Sequence, residues 1–199
     1  MALTESRVPP EPLVLFRRWY AEATRRGALQ PEAVALATAD ARGAPSVRMV
    51  LFKGIDAGRF VFYTNYESRK GKDLAANNRA ALAFYWSMTR HQVRVSGKVA
   101  RLPHAASVAY FHSRPRGAQL SASASRQSRV IASRTVLEKA VAELDRRYPN
   151  TVPLPADWGG YALQPDWIEF WENREDRLHD RLRYVRRPGG VWRLERLAP

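Results

Sequence analysis

Five runs rich in aliphatic, β-branched and aromatic residues follow one another with little between them: AVALATAD (33–40), SVRMVLFKGI (46–55), GRFVFYTN (58–65), AALAFYWS (80–87) and HQVRVSGKVARL (91–102). The first three are separated only by turns such as ARGAP and DAG. Strands joined by turns this short pair antiparallel. A doubly wound parallel sheet would need a helix between successive strands, and strand and helix do not alternate in this chain. Three more strand-like runs close the sequence: GYALQPDWIEFWEN, RLHDRLRYVRR and VWRLERLAP, the last two joined through PGG. Six or more antiparallel strands remove their exposed edges by closing into a barrel. The expected fold is mainly β, an antiparallel β-barrel with helices packed outside it.

The helical signals are fewer. Pro12 suits the first turn of a helix whose apolar stripe is Leu13, Phe16, Trp19, Tyr20 and Ala23, ending at Gly27. Ser68 is a natural N-cap for RKGKDLAANN. Two further helices are expected around AASVAYFHS and TVLEKAVAELDRRY, with a Ser- and Arg-rich loop between them. At 199 residues the chain is expected to form one domain over 1–199, with residues 1–9 as a disordered tail.

Charge narrows the partners. The formal net charge of +14 attracts anions, whether nucleic acid, phosphorylated small molecules or acidic membranes. The chain has no cysteine, and its four histidines (His91, His104, His112, His179) do not cluster. A zinc site and a cysteine nucleophile are therefore not expected. With no signal-peptide core and no long apolar run, the reading is a soluble cytoplasmic protein with no membrane partner.

Neither a G-x-G-x-x-G nor a Walker A pattern is present, so any phosphate must be held by side-chain cations, strand amides or a helix start. RMVLFK carries Arg48 and Lys53 at the ends of an apolar strand. Being five apart, they face opposite sides of a flat strand and share a ligand only through a bulge, a twist or a second subunit. YTNYESRK gathers Thr64, Ser68, Arg69 and Lys70 where a strand ends and a helix starts. The loop-like stretch from Arg114 to Ser128 adds Arg116, Gln119, Ser125, Arg126 and Gln127. In DRLHDRLRY (176–184), a strand reading puts Arg177, His179, Arg181 and Arg183 on one face, which is either a solvated edge or an anion site.

Taken in order, RMVLFK, FYTNYESRKGKDLAANNRAALAFYW, RQSRVIASR, WGGY, EFW, RLHDR and RLAP resemble the pyridoxine/pyridoxamine 5'-phosphate oxidase family from about Pro10 to Pro199. The resemblance implies an FMN-binding split barrel, a homodimer with FMN in clefts between its subunits. It implies FMN contacts at Arg48, Met49, Val50, Leu51, Phe52 and Lys53, then at Tyr63, Thr64, Arg69 and Lys70. Further FMN contacts fall on Gln92, Gln127, Ser128, Trp171 and Arg181. Lys53, Tyr110 and Arg114 would hold the substrate phosphate, and Arg177 and His179 would lie over the pyridine ring as the catalytic candidates. The implied reaction oxidises pyridoxine or pyridoxamine 5'-phosphate with O2, releasing H2O2.

Three departures bear on the pocket. Ala118 stands where the family usually has a serine. LSAS (Leu120, Ser121, Ala122, Ser123) replaces IGAW, and FWEN, ending in Glu172 and Asn173, replaces FWQG. The nearest alternative is a sister flavin oxidase acting on a bulkier substrate such as a reduced phenazine precursor. A non-catalytic basic module for flavin or nucleic acid is the alternative from another class. Its expected interleaving of aromatic and basic residues on an open strand face is missing, so no nucleic-acid partner is expected.

Overall fold

The computed structural model describes residues 3–199. Helix α1 (Pro12–Arg25) is followed by strands β1 (Ala33–Ala39), β2 (Pro45–Leu51), β3 (Ile55–Asp56) and β4 (Arg59–Asn65). Helix α2 (Arg69–Ala76) leads into β5 (Arg79–Trp86) and β6 (His91–Arg101). Helices α3 (His104–Ser113), α4 (Arg116–Ala124) and α5 (Arg134–Arg147) precede β7 (Trp158–Glu172), β8 (Asp180–Arg186) and β9 (Trp192–Arg196).

Strand pairs are antiparallel, in the order β2-β1-β5-β6-β7-β4-β3, with β8 beside β7 and β9 beside β8. The 15-residue β7 organises the sheet. Its first half pairs with β4, Leu163 opposite Phe60, and its second half with β8, Phe170 opposite Leu182. Strand β6 runs along both halves and shifts register at a bulge between Ser96 and Gly97. The chain leaving β2 then closes onto β4: the Lys53 N–H donates to the Val61 carbonyl at 2.8 Å, and the Val61 N–H to the Gly54 carbonyl at 3.0 Å. The result is the expected antiparallel barrel, mainly β, with its helices outside.

Local pattern explains most of this. In β1 every second residue is buried, so Val34, Leu36 and Thr38 point inward. In α1, Pro12 occupies the first turn and Leu15, Phe16, Trp19 and Ala23 bury one stripe. The Phe16 ring packs edge-on against Phe60 at 5.0 Å and Phe84 at 5.1 Å between centroids. Truncating so buried a phenylalanine to alanine costs about 3–5 kcal/mol.

Three expectations are corrected. The Ser- and Arg-rich segment after Arg114 is not all loop, because it contains α4. Gly117, Ser121 and Ser123 are weak helix formers and mask it in the sequence. The helix is held instead by packing: Leu120 joins Phe111, Val152 and Trp158 in a small core, and Arg116 bonds Asp145 at 2.9 Å on α5.

Second, RLHDRLRY is not one strand. Strand β8 begins only at Asp180, and Arg177 has a left-handed backbone with φ of 63°. The single cationic face therefore does not form. Arg181 instead pairs with Glu169 at 2.8 Å and Arg183 with Glu195 at 2.7 Å.

Third, the expected disordered tail is a packed strap from Leu3 onward; its residues 1 and 2 lie outside the described residues. Leu3 is buried, and its amide donates to Glu172 Oε2 at 3.1 Å. The Arg196 guanidinium bonds Glu5, and the Tyr184 hydroxyl donates to the Pro9 carbonyl at 2.7 Å. Buried polar groups on β7 and β8 need partners, and the strap supplies them.

Candidate functional site

The site is built around the start of α2. The Ser68 side chain caps this helix by accepting the Gly71 N–H at 3.3 Å, as expected, which places Arg69 and Lys70 in the first turn. Cations there oppose the helix dipole, so the pair needs a reason beyond helix stability. Lys70 is only 7% exposed. Its Nζ donates to Gln127 Oε1 at 2.8 Å, to Thr64 Oγ1 at 3.1 Å and to Ser68 Oγ at 3.3 Å, all neutral oxygens. Burial, helped by the nearby Arg48 charge and opposed by Asp73, lowers its pKa to about 8.

Arg48 is anchored from behind. Its Nη1 donates to Thr38 Oγ1 at 2.7 Å and its Nη2 to Ser46 Oγ at 2.6 Å. Thr38 in turn donates to the buried Asp73 at 2.6 Å, and that carboxylate lies 3.7 Å from Arg48. Burial lowers the Arg48 pKa, with Asp73 opposing and Arg69 adding to the effect.

These groups open into a cavity of about 780 Å³ between β2, the start of α2 and α4. From β2 and its end come Arg48, Met49, Val50, Leu51 and Lys53. From β4 and α2 come Tyr63, Thr64, Arg69 and Lys70, and from the helical segment Tyr110, Arg114, Gln127 and Ser128. Arg48 and Lys53 thus share one cavity within a single chain. Strand β2 ends at Leu51, and Lys53 has already turned to pair with β4. The rings of Tyr63 and Tyr110 stack at 3.8 Å, and burial raises the Tyr63 pKa. Arg114 lies 4.8 Å from the Trp158 ring, and its buried Nη1 has no hydrogen-bond partner among the described residues.

The remaining predicted residues lie elsewhere. Phe52 turns its side chain into the barrel core. Gln92, Trp171 and Arg181 stand side by side across β6, β7 and β8, with Trp171 opposite both of the others. The His179 ring is 4.7 Å from Trp171, and Arg177 lies in the turn before it. Within one chain, neither this group nor Arg177 lines the cavity.

Ser46, Asn65, Ala122 and Trp158 also line the cavity, beyond the residues expected from the sequence. Ser46 was accessible by period, two residues before Arg48 on the same strand face. Trp158 opens the WGGY motif, and Ala122 required knowledge of α4.

The donor set fits a phosphate-bearing flavin. Arg48, Lys53, Arg69, Lys70 and Arg114 converge on one cavity, and Asp73 is the carboxylate paired among them. An anion is what a guanidinium nitrogen like that of Arg114 lacks.

Comparison with known proteins agrees. The family profile described as Pyridoxamine 5'-phosphate oxidase matches residues 21–148, and that of the Pyridoxine 5'-phosphate oxidase C-terminal dimerisation region matches residues 158–199. A pyridoxine/pyridoxamine 5'-phosphate oxidase of Rubrobacter xylanophilus is 52% identical over 99% of this chain and 91% of its own length. One from Cupriavidus metallidurans is 48% identical over 100% and 93%. The crystal structure of PhzG from Burkholderia lata 383 in complex with tetrahydrophenazine-1-carboxylic acid superposes with a TM-score of 0.92 at 35% identity, covering 100% of this chain and 98% of that one. No helix among the described residues is long and apolar enough to cross a membrane. By profile, identity and fold, this chain belongs to the pyridoxamine 5'-phosphate oxidase family.

Proposed function

We propose that the protein is an FMN-dependent oxidase that converts pyridoxine 5'-phosphate and pyridoxamine 5'-phosphate to pyridoxal 5'-phosphate. The alcohol consumes one O2 and yields H2O2. The amine consumes O2 and water and yields ammonia as well. The observation that carries this reading is the cavity on which five cations converge, one of them Arg114 with a nitrogen unpaired among the described residues, on a chain about half identical along its length to oxidases of that name.

FMN, when bound, supplies the two-electron acceptor whose electrons pass to O2. The chain's own residues bind and orient. Arg48, Arg69 and Lys70 neutralise the cofactor phosphate, and Thr64 and Gln127 hold Lys70 toward it. Lys53, Tyr110 and Arg114 take the substrate phosphate. Arg177 and His179 would hold the substrate's pyridine ring in place for oxidation, and such alignment would supply much of the rate. The group around Trp171, set apart from the cavity in one chain, completes the site of a second copy in a homodimer. The exposed apolar side chains Val47, Met49 and Leu51 on edge strand β2 support such an interface.

A second reading, oxidation of a reduced tricyclic substrate, is favoured by the small side chains Ser121, Ala122 and Ser125 that α4 and its end present to the cavity. Aerobic turnover of the FMN-loaded protein separates the two. Equal formation of pyridoxal 5'-phosphate and H2O2 from both phosphate esters supports the first reading. A yellow protein that oxidises neither ester but consumes a dihydrophenazine carboxylate replaces it with the second.

A further inference from the structure

The turn between β7 and β8 is tied together through one residue, Arg174. Its backbone N–H donates to His179 Nδ1 at 3.1 Å, and its carbonyl accepts the Arg177 N–H at 3.3 Å. The Leu178 N–H is taken by Asp176 Oδ1 at 3.0 Å, which completes the turn. Arg177 is held there with φ of 63°, a conformation unfavourable for a residue with a side chain. Both catalytic candidates therefore take their placement from the backbone of Arg174.

Arg174 is itself anchored. Its Nε and Nη2 donate to Asp180 Oδ2 at 2.8 and 2.6 Å. The other oxygen of Asp180 accepts from Arg196 Nη1 at 2.8 Å. Arg196 also bonds Glu5 at 2.8 Å and the Leu3 carbonyl at 3.0 Å, so the N-terminal strap is fastened to the same clasp.

The ring chemistry follows from the first of these contacts. A neutral imidazole carries one hydrogen, and the nitrogen that accepts a hydrogen bond is the one without it. Nδ1 accepts from Arg174, so the hydrogen is on Nε2, the ring atom left for a ligand. We infer that Asp180 and Arg174 are positioning residues that hold His179 as a fixed Nε2–H donor toward an acceptor atom of the substrate, such as its ring hydroxyl oxygen, and not as a proton-accepting base. This rests on the proposed function for the identity of the substrate. The tautomer itself does not depend on it.

The test uses FMN-loaded protein with 15N-labelled histidine, the His179 signals being identified by their loss in His179→Gln. The expected spectrum shows Nε2 protonated and Nδ1 bare, and Arg174→Ala turns it into a mixture of tautomers. Arg174→Ala is expected to lower kcat at least tenfold while FMN affinity stays within about twofold, and Arg174→Lys to restore part of the loss. Asp180→Asn should follow the same pattern in milder form. His179→Gln, whose amide N–H reaches the Nε2 position, should retain at least tenfold more kcat/KM than His179→Asn. A wild-type spectrum with the proton on Nδ1, or Asn outperforming Gln, overturns the inference even if vitamin B6 turnover is normal. Absence of turnover with an Nε2–H spectrum that becomes mixed in Arg174→Ala refutes the proposed substrate and leaves the clasp standing.

Discussion

Arg114 lies 4.8 Å from the ring of Trp158 and keeps a buried guanidinium nitrogen that no other group among the described residues satisfies. The aromatic face positions the cation without consuming its hydrogen bonds. Arg114→Ala is expected to raise KM for a phosphate ester about 10- to 100-fold, since a hydrogen bond to a charged group contributes about 1.5–3 kcal/mol. Steady-state kinetics on both esters checks this; an unchanged KM would remove Arg114 from substrate binding.

Lys70 predicts a pH dependence. Its folded-state pKa of about 8 lies below the ordinary 10.5. Between those values the unfolded chain holds the proton and the folded one does not, so this group makes the cofactor-free protein more stable as pH rises through that window. A bound phosphate favours the charged form and reverses the preference. FMN affinity should therefore weaken as pH rises past about 8, and Lys70→Met should bind FMN more weakly and without that slope. Fluorescence titration of FMN from pH 7 to 10 reads both; parallel slopes would contradict the assignment.

Gly71 predicts a link between backbone and cofactor. A Cβ there would run into the backbone carbonyl of Tyr66, which has no side-chain freedom to move aside. Gly71→Ala should push the start of α2 outward, costing about 1–3 kcal/mol as an overpacked site. Because Arg69 and Lys70 ride on that turn, FMN retention on desalting should fall as well. Full retention with normal thermal stability would show that the turn yields.

Glu169 predicts a stability effect. It is 3% exposed and receives both Arg181 at 2.8 Å and Arg94 at 3.3 Å. Removing it leaves Arg181 partly buried without its carboxylate, and breaking a buried pair costs about 3–5 kcal/mol. Arg181 keeps some solvent, so the lower end applies. Glu169→Ala should lower the melting temperature by about 6–12 °C, and Glu169→Gln by less; a change under 2 °C would mean the pair contributes little.

Much of this was legible in the chain. The helix from Pro12, the cap at Ser68 and the strands from Ala33 to Arg101 are local patterns of period and punctuation. The cavity residues from Arg48 to Lys70, with Tyr110, Arg114, Gln127 and Ser128, were reached through motif resemblance, and the structure brings them together. Helix α4 was not legible, because Gly117, Ser121 and Ser123 argue against a helix and only the burial of Leu120 argues for one. The cationic face expected of RLHDRLRY fails for a similar reason. Alternation assumes a continuous strand, and the left-handed Arg177 interrupts it before Asp180.

By itself, then, the sequence determined an antiparallel β fold and a strongly basic chain, because hydrophobic period and turn chemistry act over a few residues and net charge needs no distant partner. Only the tertiary structure decided which cations are free and which are spent. Arg181 and Arg183 are neutralised by Glu169 and Glu195, which lie 12 residues away along the chain in each case. Among the described residues Arg114 is left with an unpaired nitrogen, and the strap from Leu3 is fastened through Arg196 to the turn that carries His179. Such pairings depend on which strands lie side by side, and strand order is set by the packing of the whole barrel.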